Sequence, residues 1–300
     1  MNNDTPEIRA GLLAALGAYS LWGLLPIFFK LLAQVSATEV VAQRILWSLF
    51  FIVALLAARG GIGSFVATLR NRRLLLALTA SALLIGVNWL TYVWAVIDGH
   101  VIATSLGYFL NPLVNVALGV LVLGERLRRG QTVAIGIAAV GVAIMAGAAL
   151  TTLWISVVLA LSFAFYGLVR KLTPVSPTVG LGAEALILAP PALAYLLWLS
   201  SDGGLSFGQN PYITVMLVIC GILPTVPLAL FAMAAHRLPL ATLGLMQYLA
   251  PTLQFLCGVL LYGEKLTHGQ MMSFALIWLG LILFAADSLS AARRNRLATT

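Results

Sequence analysis

Chemistry-bearing side chains are sparse in this sequence. Those that interrupt its long apolar runs are mostly amides and aromatics: Tyr19 and Trp22; Asn88, Trp89, Tyr92 and Trp94; Tyr108, Asn111 and Asn115; Phe163 and Tyr166; Gln247, Tyr248 and Gln254. Asn and Gln offer donors and acceptors together, which suits a zwitterion or an uncharged polar molecule, while aromatic faces cover an apolar portion. This is the chemistry of reversible binding. Bond-breaking sets are missing: no Ser/His/Asp group, metal-ligand cluster or acidic pair lies within the apolar runs, and His100, His236 and His268 stand near their ends. No Gly-rich loop ends in Gly-Lys-Ser or Gly-Lys-Thr, which argues against ATP hydrolysis, and no cofactor or metal is expected.

Two ionisable residues lie deeper in apolar runs, Arg44 and Glu184. Each stands about six residues inside its run, but the runs enter from opposite faces. At 1.5 Å per residue the two would differ by roughly 12 Å in depth, so separate local partners are expected. Glu184 is the best candidate for proton coupling, set against the plainer role of a hydrogen-bonded structural carboxylate or one reaching for the surface.

The elements that must position these residues follow from composition. With 61% hydrophobic and 9% charged residues, the chain cannot cover a water-soluble surface, since charged residues normally make up about a quarter of a globular domain. Apolar runs of about 20 residues follow one another with short links, so helices crossing a bilayer are expected. Ten are predicted, over 9–33, 37–58, 74–97, 101–123, 130–149, 151–170, 178–199, 212–235, 240–262 and 270–289. The first is too long for a signal peptide and carries Asp4 and Glu7 near its start. Cys220 and Cys257 fall inside predicted helices as small apolar groups.

A net charge of +8 in a soluble protein would point to nucleic acid, but here placement decides. Arg9, Arg59, Arg70, Arg72, Arg73, Arg126, Arg128, Arg129, Arg170, Lys171, Arg237, Arg293, Arg294 and Arg296 all fall on one side of the ten runs, 14 of the 17 basic residues. The positive-inside rule makes that side cytoplasmic, with both termini there, and removes the need for a nucleic-acid partner.

The sequence Gly124-Glu125-Arg126-Leu127, leading to Gly130-Gln131, recurs 139 residues later as Gly263-Glu264-Lys265-Leu266, leading to Gly269-Gln270. At that offset Pro112 falls on Pro251, Gly119 on Gly258 and Gly141 on Gly280. Two related halves, 1–149 and 150–300, are therefore expected to form one membrane domain. Five helices per half is an odd number, which turns the second half upside down: an all-α polytopic membrane protein with ten transmembrane helices in two inverted five-helix repeats. Seven of twelve prolines lie within the runs, where each removes a backbone hydrogen bond, and the matched Pro112 and Pro251 suggest a shared bend. The matched glycines are read as sites of close helix packing.

The stretches Ser105-Leu106-Gly107-Tyr108-Phe109-Leu110-Asn111-Pro112, Ser162-Phe163-Ala164-Phe165-Tyr166-Gly167 and Gln247-Tyr248-Leu249-Ala250-Pro251-Thr252, with Asn88-Trp89 and Trp94-Ala95-Val96, closely resemble the RarD-type branch of the drug/metabolite transporter (DMT) superfamily. The resemblance runs from the first predicted helix to the tenth. It implies the EamA-type fold, similar to that of YddG-type amino acid exporters, and a multi-pass place in a bacterial inner membrane. It also implies a central substrate site lined by the first, third, fourth, sixth, eighth and ninth helices.

That lining makes Tyr19, Trp22, Asn88, Tyr92, Tyr108, Asn111, Asn115, Phe163, Tyr166, Gln247, Tyr248 and Gln254 the candidate substrate-binding residues, with packing and interfacial anchoring as the plain alternative for the aromatics. None of these helices carries a deep Asp or Glu, which points to a gradient-driven facilitator or to coupling through a peripheral group such as Glu184. The implied function is secondary export of neutral or aromatic amino acids and related small metabolites by alternating access. A multidrug or chloramphenicol-type exporter is the alternative. A membrane enzyme fits less well. The expected partners are a small-molecule substrate and the lipid bilayer.

Overall fold

Backbone polar groups in hydrocarbon must bond within the protein, and this chain meets that demand with helices. The computed structural model describes residues 4–123, 129–148, 150–223, 225–235, 237–238 and 246–298, and no strand occurs among them. The helices are α1 (Asp4–Gly23), α2 (Leu25–Lys30), α3 (Ala37–Ala58), α4 (Ile62–Arg70), α5 (Arg72–Ile97), α6 (Val101–Leu123), α7 (Arg129–Ala148), α8 (Leu150–Leu172), α9 (Pro177–Ser201), α10 (Pro211–Ile222), α11 (Thr225–Ala235), α12 (Leu249–Leu256) and α13 (His268–Ala298), with a π turn at Cys257–Leu261. The first copy of the repeated motif (124–127), His236 and the start of the ninth predicted run (240–245) lie outside the described residues.

Seven spans among the described residues are long and apolar enough to cross a membrane: Glu7–Lys30, Ala37–Ala58, Arg72–Ile97, Val101–Val122, Thr151–Leu172, Pro177–Ser201 and His268–Asp287. Three shorter apolar helices, Arg129–Ile144, Pro211–Ile222 and Leu249–Leu261, occupy the fifth, eighth and ninth predicted runs. The link between the second and third predicted runs, 59–73, contains α4. That helix forms because Phe65 is buried against Ile52, Leu56, Leu78, Val179 and Ala183.

The helices form two compact units, each built from both halves of the sequence. The first comprises Met1–Pro26, Gly99–Ala160 and Ala229–Thr300; the second comprises Ile27–Asp98 and Leu161–Leu228.

In the first unit, α7 and α13 pack through a reciprocal contact. A β-carbon at Gly141 would meet the Ser273 carbonyl oxygen at 3.0 Å and Ile277 at 3.1 Å; one at Gly280 would meet the Ala134 carbonyl oxygen at 2.7 Å and Ala138 at 3.0 Å. Partner numbers fall along α13 as they rise along α7, so the helices are antiparallel. Only glycine admits so close an approach.

The N-terminus of α6 is closed in the same unit by the repeated motif. Gly263 adopts φ +63°, which a side chain would strain, and the turn brings the Glu264 N–H onto the Gly258 carbonyl at 2.9 Å. The Glu264 carboxylate then accepts from the N–H groups of Val101 (2.6 Å) and Ile102 (2.9 Å). Those are two of the amides that a helix start leaves without intrahelical partners, and the anion also meets the positive end of the helix dipole.

The second unit's core joins Ile52 and Leu56 of α3, Phe65 of α4, Leu78 of α5, and Val179 and Ala183 of α9. At its other end the buried Glu39 carboxylate accepts from Ser206 N–H (2.9 Å) and Phe207 N–H (3.1 Å), fixing the link before α10.

Candidate functional site

Pro26 has no N–H to give to the carbonyl four residues before it, that of Trp22, and α1 breaks at Leu24 before resuming as α2. Gln254 of α12 supplies the missing donor: its Nε2 reaches the Trp22 carbonyl oxygen at 3.2 Å. The approach is close because Gly23 faces Leu253 and the Ala250 carbonyl, where a β-carbon would lie 2.7 Å and 3.0 Å away. Above this seam Tyr19, Trp22 and Phe231 form an aromatic triangle with ring centroids 5.7 to 6.1 Å apart. Three expected residues, Tyr19, Trp22 and Gln254, thus stand together in the first unit.

Gln254 is 3% exposed and Asn111, on α6, 1% exposed. Gln254 Oε1 and Asn111 Oδ1 are buried with no hydrogen-bond partner among the described residues. Each is an acceptor that an N–H or ammonium donor would satisfy. Tyr248 helps line a cleft of about 390 Å³ with Phe109, Thr252, Trp278, Leu281, Ile282 and Ala285. Its aromatic wall is continuous with Phe255 and Phe274, whose rings lie 4.5 Å apart. Tyr108 and Gln247 are partly buried, whereas Asn115, one turn beyond Asn111 on α6, is exposed.

The remaining expected residues belong to the second unit. Asn88 of α5 donates through Nδ2 to Ser162 Oγ of α8 at 2.9 Å and is buried. Tyr92 meets Phe29 edge to face at 5.9 Å, and the rings of Phe163 and Tyr166 lie 6.0 Å apart.

Arg44 and Glu184 have separate local partners. The Arg44 guanidinium stacks on Trp89, 4.2 Å from the ring centroid. Glu184, fully buried on α9, accepts from Ser81 Oγ at 2.6 Å and from Tyr166 OH at 3.4 Å, with Arg170 Nε 3.6 Å away. Arg170 reaches it by crossing Gly180, where a β-carbon would collide with the guanidinium. Low dielectric makes such a network costly to break at any one member.

Two matches to the EamA-like transporter family cover nearly all of the sequence, over residues 9–147 and 150–286. The chain belongs to that family. It is 45% identical to a Streptomyces exfoliatus protein named Protein RarD, over 97% of this chain and 92% of that one. It is 31% identical to a Pseudomonas aeruginosa protein named Chloramphenicol-sensitive protein RarD, over 95% of this chain and 96% of that one. A solved crystal structure with 20% sequence identity superposes with a TM-score of 0.60 over 92% of this chain and 97% of that one, a likeness of fold alone. As a RarD-type member of the EamA-like family, the protein is a multi-pass transporter of the inner membrane, acting on small molecules.

Sequence reasoning missed several residues that complete these EamA-like clusters. Phe231 closes the aromatic triangle, Ser162 receives Asn88, and Ser81 and Arg170 hold Glu184. The serines look like filler among Leu and Ala, and nothing in their spacing marks a partner. Arg170 carried a legible signal: Gly180 stands between it and Glu184, across the short link from α8 to α9.

Proposed function

We propose that this transporter exports neutral or aromatic amino acids and related small metabolites by alternating access. The observation that carries this reading is the pair of buried acceptors without a partner among the described residues, Asn111 Oδ1 and Gln254 Oε1, in a unit that also holds the Tyr19, Trp22 and Phe231 triangle. Amide acceptors suit a cargo's ammonium without the tight hold of a carboxylate, and aromatic faces suit its side chain. Tyr19, Trp22, Asn88, Tyr92, Tyr108, Asn111, Asn115, Phe163, Tyr166, Gln247, Tyr248 and Gln254 are the proposed substrate-binding set.

The proposed frame is ten transmembrane helices in two inverted five-helix repeats, 1–149 and 150–300, with both termini cytoplasmic. It is supported by the α7 and α13 seam, where Gly141 and Gly280 are equivalent at the 139-residue offset and rest on equivalent partners: Ser273 and Ile277 against Ala134 and Ala138. A two-fold axis between antiparallel helices produces such an exchange.

A second reading, export of a chloramphenicol-type drug, draws on the aromatic cleft beside Tyr248 and on the name of the Pseudomonas aeruginosa relative. Proteoliposomes preloaded with labelled phenylalanine, leucine or chloramphenicol separate the two. Amino acid efflux that slows in Trp22→Ala and Asn111→Ala supports the first reading; drug efflux alone replaces it with the second. Undiminished efflux in both variants removes the proposed site.

A further inference from the structure

We infer that the end of the second unit built around α4 is a docking surface for anionic phospholipid headgroups. α4 joins two membrane-length helices, α3 and α5, and clusters through Phe65 with Ile52 and Leu56 toward the end of α3 and with Leu78 near the start of α5. Its inner face is anchored by Phe65 on the core, with Leu69 packed beside it. Its outer stripe, at four-residue spacing, reads Ile62, Val66, Arg70. Ile62 and Val66 are 36% and 37% exposed. Two apolar side chains followed by a long cation on one exposed stripe suit a helix lying in the interface, with the apolar pair in the acyl boundary and the guanidinium at headgroup level.

Charge selects the lipid. Arg59, Arg70, Arg72 and Arg73 are all exposed, and segment 59–73 contains no Asp or Glu. Val175 and Val179, at the turn from α8 to α9, pack on the same core as Phe65, which brings the exposed Lys171 to this end. The link 171–177 is likewise free of carboxylates. Five exposed cations on two segments that carry no carboxylate, at the end of membrane spans, match a phosphate-bearing lipid surface.

The test titrates detergent-solubilised full-length protein with fluorescent phosphatidylglycerol or phosphatidylcholine. The parent should prefer phosphatidylglycerol, and R70Q/R72Q/R73Q should bind it roughly a hundred-fold more weakly, at about five-fold per arginine, with the preference fading in high salt. R70K/R72K/R73K should keep most of the affinity, and Arg9→Gln, in the first unit, should change nothing. Equal binding by the parent and the glutamine variant overturns the inference, as does a lysine variant as weak as the glutamine one. Free glycerol phosphate that competes as well as the lipid would reassign the surface to soluble anions. These readouts are independent of transport, so they stand or fall apart from the cargo.

Discussion

The side-chain amide of Gln254 takes the place of a backbone donor for Trp22, whose carbonyl Pro26 leaves without one. Gln254→Leu should therefore destabilise the protein by about 1–3 kcal/mol, the cost of an unsatisfied buried acceptor. In a Pro26→Ala background, where residue 26 can again donate to Trp22, the same change should cost clearly less. Unfolding free energies in detergent for the four members of this cycle give the coupling; equal costs in both backgrounds would refute the pairing.

Glu184 and Arg170 form the second dependency. Arg170→Met strands a buried carboxylate and should cost roughly 3–5 kcal/mol, while adding Glu184→Gln should return most of that loss. Gly180→Ala should act like Arg170→Met, because the new methyl occupies the path of the guanidinium. Thermal melts of the three variants check the order.

The bonds that hold Glu184 to Ser81, Tyr166 and Arg170 have a functional counterpart. A carboxylate fastened this way serves structure, so efflux from proteoliposomes should be unchanged when the proton gradient is collapsed. Efflux that falls with the gradient, and becomes insensitive to it in Glu184→Gln, would give Glu184 the coupling role instead.

Glu264 should stabilise the start of α6 by charge as well as by hydrogen bonding. Glu264→Gln is expected to cost about 0.5–1 kcal/mol and Glu264→Ala up to about 2 kcal/mol, the range for an anion at a partly buried helix N-terminus. Melting temperatures in a common detergent, compared at low and high salt, distinguish the two contributions.

The α7 and α13 seam gives a matched pair of substitutions. Gly280→Ala drives a methyl against the Ala134 carbonyl and should destabilise by about 1–3 kcal/mol. Gly136→Ala, with nothing within 4 Å, should be neutral or gain up to about 1 kcal/mol of helix propensity. If both behave alike in a detergent unfolding series, packing at the seam is not what Gly280 provides.

Composition made the all-helical membrane fold readable, because apolar runs long enough to cross a bilayer leave few alternatives in lipid. The residue types of the candidate clusters were readable for the same reason: a polar group is conspicuous in an apolar run. Their facing was not. Asn115 and Gln254 are equivalent at the repeat offset, yet one is exposed and the other buried. The helix α4 was hidden because a nine-residue element owes its existence to what Phe65 packs on. The repeated Gly-Glu pair announced itself as a pattern, but the amides that Glu264 caps lie more than 160 positions away. Ser81 and Glu184, 103 positions apart, meet only once α5 and α9 have packed.

The interchangeable sides of the α7 and α13 seam bear on how such a chain can arise. A surface that fits its own equivalent in the opposite sense lets a single half-length polypeptide, inserted in both orientations, meet a second copy without inventing a new face. Fusing two such copies would preserve the contact and free each side to diverge, the kind of difference that separates exposed Asn115 from buried Gln254.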